Sequence, residues 1–413
     1  MANLAILGGS KLIGEEFSSL FPQWPPRDEE TAGALKKVYM EGAWSFNSPA
    51  EQEFEQAFAE YHGAKYGIFM ANGTTTLECA MVALGVKPGD EVIVPALTWM
   101  ATALSASYLG AIPVIVDIEP DTLCMDPEQV RAAITPKTKA IIPVHAYGST
   151  ADMEKILEIA DAHGIPVIED CAHMHGGFWN GRGAGSWGKV GSFSFQQSKT
   201  MSSGEGGICI TSDPELAEKI YLLKHIGYSR GIKQGQARKA PEGLLCHNYR
   251  ATAFQAVILS QQLKNLKNLI DTYAENAAFL REEIKDIPGV RMQSPGRLSE
   301  PQGYYSCHLI FDGEPFKNIP KAVINEACTA EGFPIGNGTH GPVYNASLFN
   351  LDLSKDEYRI HGGRCAVCEE LFPRTLGFNH NVLTHRSTME KLSAVLHKVY
   401  ANIGELEQYA ASK

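Results

Sequence analysis

A chain of 413 residues is long for one hydrophobic core, so two lobes are expected, and 44% hydrophobic with 20% charged residues fits a globular enzyme. The formal net charge of −11 argues against nucleic acid and anionic membrane as partners, since both reward a basic surface. Nine cysteines scattered from Cys79 to Cys368, an odd number in so large a chain, do not read as a disulfide framework.

In chain order, the opening Met1-Ala-Asn-Leu-Ala-Ile-Leu-Gly-Gly lacks the basic and apolar regions of a signal peptide. No apolar run approaches membrane-spanning length, which makes the cytoplasm the expected compartment. Pro25-Pro26 breaks any early helix, and Phe54, Phe58 and Tyr61 then recur at helical spacing over 51–61. Residues 1–64 read as an arm leading into the main lobe. Short apolar runs at 66–70, 91–94, 112–116, 140–144 and 166–168 read as buried strands, with helical patterns at 76–84, 101–109 and 153–163 between them. Such an alternation predicts a mostly parallel sheet covered on both faces. Two further β-like runs, 191–195 and 207–211, are separated only by a Ser/Gly-rich loop, which departs from simple βαβ alternation. A long helix over 251–285 follows, with Ala256, Leu259, Leu263, Leu266 and Leu269 at helical spacing. After Pro288 the pattern is α+β, with a strand at 307–311 and helices at 321–331 and 389–400. The expected division is therefore an arm (1–64), a large domain with its bridging helix (65–280) and a small C-terminal domain (281–413). Cys365 and Cys368 have CxxC spacing without the second pair a zinc site needs, so two thiols on one helix are the plainer reading and no metal site is expected there.

Open parallel sheets bind ligands beyond the carboxyl ends of their strands, and chemistry-bearing residues cluster there. At Ala71-Asn72-Gly73-Thr74-Thr75 a strand ends and a helix begins, offering free N–H groups and a positive dipole end to an anion. A capped turn without a ligand would read the same. Trp99 ends Pro95-Ala-Leu-Thr-Trp99, where it could stack on a flat ring or pack under the next helix. In Val167-Ile-Glu-Asp170-Cys-Ala-His173-Met-His175 a carboxylate stands at a strand end, placed to pair with a protonated ring nitrogen. Metal ligation by Asp170, His173 and His175, or a polar turn, are the rival readings. Lys199 lies in a small, Gly-rich loop after an aromatic strand. Most lysines are solvated charges, but one partly withdrawn from water has the lowered pKa that imine chemistry requires.

These segments, in this order, resemble the DegT/DnrJ/EryC1/StrS family of aminotransferases. The likeness runs through NGTTTLE, PGDEVIVPALTW, PVHAYG, VIEDCAHMHG, SFSFQQSKTMSSGEGG and NYRATAFQA. It implies an α/β protein of fold type I (aspartate aminotransferase-like), with a mostly parallel sheet between helices and a smaller α+β C-terminal domain. The implied cofactor is pyridoxal 5′-phosphate (PLP), with pyridoxamine 5′-phosphate carrying the amino group between half-reactions. By resemblance, Lys199 bonds the cofactor aldehyde, Asp170 pairs with the pyridine nitrogen and His173 lies by the ring hydroxyl. Trp99 stacks on the ring, while Gly73, Thr74, Thr75 and Ser194 hold the phosphate. Asn248 would reach across to the partner subunit's phosphate, implying a homodimer with shared active sites. Lysine at position 199, where some relatives carry histidine and dehydrate, favours amino transfer.

Gln196, with the PVHAYG and AHMHG segments, is similar to the branch that acts on free keto cyclitols and related compounds. The expected acceptor is then a keto cyclitol or free keto sugar resembling scyllo-inosose, and the donor L-glutamine or L-glutamate, in secondary-metabolite or amino-sugar biosynthesis. The alternative is a nucleotide-linked 3- or 4-keto sugar. The segments Gly377-Phe-Asn-His380-Asn381 and Asn337-Gly-Thr-His340 depart from the family pattern. A non-catalytic sensor on the same fold and a metal-dependent enzyme are the readings from other classes.

Overall fold

The computed structural model describes residues 3–232, 236, 243–298, 301–336 and 340–413. In the arm, α1 (Glu29–Glu41) starts where Asp28 accepts the Thr31 N–H at 2.7 Å, with Glu29 and Glu30 in its first turn. Val38 is its one buried residue, so capping chemistry rather than an apolar stripe marks this helix in the sequence. α2 (Pro49–Tyr61) buries Phe54 and Phe58 and leads into β1 (Tyr66–Met70). The chain then runs α3 (Gly73–Ala83), β2 (Glu91–Pro95), α4 (Ala101–Tyr108), β3 (Ile112–Val116), α5 (Pro127–Ala133), β4 (Thr138–Ile141), α6 (Met153–Ala162) and β5 (Ile168–Asp170). A small hairpin, β6 (Phe178–Trp179) and β7 (Arg182–Gly183), precedes β8 (Val190–Ser194), β9 (Gly207–Thr211), α7 (Pro214–Lys224) and the 31-residue α8 (Ala253–Glu283). The rest is β10 (Arg291–Met292), β11 (Ser306–Ile310), α9 (Lys321–Ala330), β12 (Arg359–Ile360), α10 (Ala366–Leu371), β13 (Thr375–Asn379), α11 (Arg386–Ala401) and α12 (Ile403–Ala411).

The strands β1-β9-β8-β5 and β12-β3-β2-β4 form two ladders, and parallel bridges from Ile141 to Val167 and from Val144 to Asp170 join β4 to β5. The result is one sheet running from β1 to β12. Every pairing is parallel except those of β9, which runs antiparallel to both β1 and β8. This explains the short Ser/Gly loop before β9, because an antiparallel neighbour needs no crossover helix.

Both faces of the sheet are covered. On one, Ile68, Val92, Val94 and Ile115 pack with Ile156 of α6 and Ile220 of α7. On the other, Phe69, Phe193, Phe195 and Ile208 meet Phe54 and Phe58 of α2 and Leu259 and Leu266 of α8. Each fully buried side chain of this kind contributes roughly 1.5–3 kcal/mol. The second core continues without interruption into the β10-β11-β13 sheet and its helices through Leu309, Phe311, Leu376 and Leu392.

Two segments cross the expected division. β12 pairs in parallel with β3, and Tyr358, Cys365 and Cys368 join the large-sheet core, so a stretch of the expected small domain extends the main sheet. At the other end, Ile13 N–H donates to Glu331 O at 2.9 Å, fastening the start of the arm to the C-terminal unit. All nine cysteines are free thiols. Among the described residues no helix is long and apolar enough to cross a membrane.

Candidate active site

The carboxyl ends of β1, β2, β5 and β8 converge on a cavity of about 390 Å³. Gly73, Thr74, Trp99, Asp170, His173, Ser194 and Lys199, all singled out in the sequence, line it. Thr75 and Asn248 do not. Thr75 caps its own helix: its N–H donates to Asn72 Oδ1 at 3.0 Å and its hydroxyl to Asn72 O at 2.8 Å. Asn248 is exposed and bridges to His225, away from its own chain's cavity.

The anion end is built by close approach. A Cβ on Gly73 would lie 2.7 Å from the Ser194 Cβ, so only glycine lets the start of α3 touch the end of β8. Gly207 does the same on β9, where a Cβ would meet the Asn72 carbonyl carbon at 2.5 Å. The N–H groups of Gly73 and Thr74 precede the first intrahelical bond of α3 and remain for a ligand, beside the Ser194 hydroxyl.

At the other end stands Asp170. Its Oδ2 accepts from the Thr102 hydroxyl at 2.8 Å and its Oδ1 from the Ala172 N–H at 3.1 Å. Burial raises its pKa above the ordinary carboxylate value; the two hydrogen bonds and the charge of Lys199 oppose this without cancelling it. A protonated ring nitrogen would complete the compensation.

Lys199 projects toward the face of Tyr305, its Nζ 4.5 Å from the ring centroid. Among the described residues no hydrogen bond or ion pair reaches that amine, and burial lowers its pKa to about 8 against the opposing pull of Asp170. His173 stacks on Tyr305 with centroids 4.0 Å apart and planes 5° apart. Its Nδ1 accepts the Tyr147 N–H at 3.2 Å, which puts the ring proton on Nε2. Burial, with Lys199 and neighbouring histidines adding to it, drives its pKa well down, keeping the ring neutral. Tyr147 itself holds a φ of +59°, and its hydroxyl accepts the His340 N–H at 2.6 Å. Trp99 is half exposed at the mouth, 5.4 Å from the His340 ring. Of the Asn337-Gly-Thr-His340 segment, 337–339 lie outside the described residues, and His340 lines the cavity.

A second cavity of about 390 Å³ adjoins the first and shares Gln196 and Ser198 with it. Its other walls are Trp24, Gln197, Asn379, His380 and Asn381. The Trp24 indole N–H donates to Gln197 O at 3.1 Å and its ring meets His380 edge-on at 4.6 Å. Burial lowers the His380 pKa to about 4, so this imidazole is neutral near pH 7.

The rival metal reading named Asp170, His173 and His175. Among the described residues the group whose atoms could meet at one ion is instead His145, Glu169 and Cys171. Two of the three are engaged already: His145 Nε2 bonds Glu169 at 3.1 Å, and the carboxylate also accepts the N–H groups of Gly185, Trp187 and Gly188 at 2.6–2.9 Å. The cluster clasps a turn behind β5.

Among the lining residues that the sequence reading did not single out, Thr102 and Tyr305 touch the groups that bear the chemistry. Thr102 sits inside a helical stretch with no motif of its own, and Tyr305 comes from the C-terminal unit. Each remaining wall suits one part of PLP: a helix N-terminus for the phosphate, Trp99 for a ring face, a buried carboxylate for the pyridine nitrogen and an unpaired amine for the aldehyde.

With its sheet order and this cavity, the protein is a fold type I, PLP-dependent aminotransferase. The DegT/DnrJ/EryC1/StrS aminotransferase family model matches residues 25–397, and the chain belongs to that family. It is 37% identical over 409 residues to the L-glutamine:2-deoxy-scyllo-inosose aminotransferase of Streptoalloteichus tenebrarius, covering 94% of this chain and 96% of that one. It is similar to the crystal structure of 3-amino-5-hydroxybenzoic acid synthase (TM-score 0.82, 29% identity, 93% of this chain and 99% of that one). A second similar structure is DesI in the presence of its TDP-sugar product (TM-score 0.81, 25% identity, 96% of each chain).

Proposed function

We propose that this enzyme moves an amino group from L-glutamine or L-glutamate to a keto cyclitol of the scyllo-inosose type, in secondary-metabolite biosynthesis. One observation carries the choice of acceptor. Lys199 is the only lysine or arginine among the described walls of the first cavity, and the second has neither. Its amides, indole and neutral imidazole suit the hydroxyls of an uncharged polyol, whereas a diphosphate-linked sugar calls for cations. The likeness to the scyllo-inosose enzyme supports the same reading. The likeness to DesI favours the alternative, a nucleotide-linked 3- or 4-keto sugar.

Bound PLP would supply an electron sink for the carbanion left when the donor Cα–H breaks. Lys199 would be the amine that holds the cofactor and, once displaced by the donor, the base that takes the donor's Cα proton on Nζ. Asp170 would accept a hydrogen bond from a protonated pyridine nitrogen, and the neutral His173 would be the donor, through Nε2, to the ring hydroxyl oxygen. Trp99 would cover one ring face, and Gly73, Thr74 and Ser194 would hold the phosphate; Thr75 supports them by shaping the turn. Asn248, exposed and outside its own chain's cavity, would serve a partner subunit's phosphate in a homodimer. Nine unpaired thiols fit a reducing, cytoplasmic setting.

The test is direct. Protein loaded with pyridoxamine 5′-phosphate is offered scyllo-inosose, 2-deoxy-scyllo-inosose and a nucleotide-linked keto sugar in turn. Return of the yellow lysine-linked cofactor with an inosose, and not with the nucleotide, is expected; the reverse selectivity would replace the cyclitol reading with the alternative.

A further inference from the structure

The carboxylate at the foot of the cavity is held by more than its own turn. Asp170 Oδ1 is fixed by the Ala172 N–H, and Oδ2 by the hydroxyl of Thr102 in the first turn of α4. Thr102 Oγ1 in turn lies 2.7 Å from Thr98 Oγ1. Thr98, Thr102 and Asp170 are all buried, with 4%, 1% and 5% of their surface exposed. We propose that Thr102, backed by Thr98, is a positioning residue that orients the Asp170 carboxylate toward the pyridine nitrogen of the cofactor. This rests on the PLP reading of the site.

The chemistry of the donors sets the order. An ionised carboxylate only accepts, so the single proton of Thr102 is committed to Asp170. Thr102 oxygen then accepts from Thr98, and the two hydroxyls run in one direction. Each carboxylate oxygen thereby has one protein donor and a lone pair left over. Rotation about the Asp170 side chain would break both bonds, so the remaining lone pairs keep one direction. The same short segment, 98–102, carries Trp99 between the two threonines. The loop that presents an indole at the cavity mouth thus also anchors the acid on its floor. A purely structural role for the hydroxyls, closing the start of α4, would leave the cofactor nitrogen unaffected.

The experiment reads that nitrogen. Full-length enzyme is reconstituted with PLP labelled with ¹⁵N in the pyridine ring, as wild type, Thr102→Val, Thr102→Ser and Thr98→Val. The ¹⁵N shift and the glutamine half-reaction are then measured. Thr102→Val is expected to move the ¹⁵N resonance from the protonated toward the unprotonated position. It is also expected to lower kcat about 10- to 100-fold with KM for glutamine little changed, the scale of one hydrogen bond to a charged group. Thr102→Ser restores both, and Thr98→Val shifts both in the same sense by less. An unmoved ¹⁵N resonance with wild-type kcat in Thr102→Val, or a Thr102→Ser as impaired as the valine variant, overturns the proposal. If Thr102→Val does not fold, Thr98→Val against wild type decides the matter by the same two readouts. A wild type that never turns yellow with PLP overturns the cofactor reading and the relay with it, whereas a yellow wild type with an unmoved valine variant overturns the relay alone.

Discussion

Two lysines are withdrawn from water in the main lobe, and they end in opposite states. Lys224, at the end of α7, donates to Glu51 at 2.6 Å, to Glu55 at 2.8 Å and to the Phe69 carbonyl at 2.7 Å. Burial alone would lower its pKa, but the two carboxylates outweigh that and raise it. Lys199 is less enclosed, since it lines the cavity, and the charge that acts on it is that of Asp170, with no bond to it among the described residues. Its pKa falls to about 8. Burial therefore does not by itself make an amine reactive. Withholding the partners does, and the partner-rich lysine becomes a bolt between α2, β1 and α7.

The comparison breaks most visibly by deleting each amine. Lys199→Ala is expected to lose the yellow cofactor and all measurable turnover while melting within a few degrees of wild type. Lys224→Ala is expected to cost about 3–5 kcal/mol in urea denaturation, because two buried carboxylates lose the cation between them, while the folded fraction keeps its chemistry. Normal transamination by the Lys199 variant would remove it from the site.

Next comes the acid. Asp170→Ala is expected to weaken PLP binding and slow the donor half-reaction by about 10²–10⁴-fold in single-turnover kinetics. A rate within tenfold of wild type would mean that another group protonates the ring.

The pH dependence sharpens the contrast further. Lys199 is protonated below its pKa of about 8 and a free amine above it. Labelling of apoenzyme by an amine reagent, followed by peptide mapping, should therefore rise with pH through about 8 and level off above it. Lys224, held charged and enclosed, should stay unlabelled throughout that range. An inflection near the ordinary lysine value would show that Lys199 is solvated.

The smallest effect lies within the bolt. Glu55 accepts from Lys224, from the Phe69 N–H at 2.7 Å and from Arg230, whereas Glu51 Oε2 has no partner among the described residues and burial raises the Glu51 pKa. Glu55→Gln should thus destabilise more than Glu51→Gln, by about 1 kcal/mol. The reverse order would mean the unpartnered oxygen does more than the geometry indicates.

Much of this site was legible because its signals are local. Asn72-Gly73-Thr74 announces a strand-to-helix turn, and Asp170, Ser194 and Lys199 sit just beyond apolar runs where parallel sheets present their ligands. Thr75 shows the limit of such reading, since the motif names it and the structure gives it to the cap. Tyr305 shows the other limit, since nothing around it in the chain points to a residue over 100 positions earlier. The reading missed α1, which only its cap marks, and β12, because two residues carry no periodicity.

By itself the sequence determined the apolar strands of the main sheet, the longest helix, the turns that need glycine and the order in which the reactive side chains occur. All of these depend on neighbours a few positions apart. Tertiary structure decided which buried lysine is left without a bond, which hydroxyl meets Asp170 and which ring faces His173. Those outcomes depend on groups far apart in the chain arriving at one place, and the electrostatics of a buried charge follow from what surrounds it rather than from what precedes it.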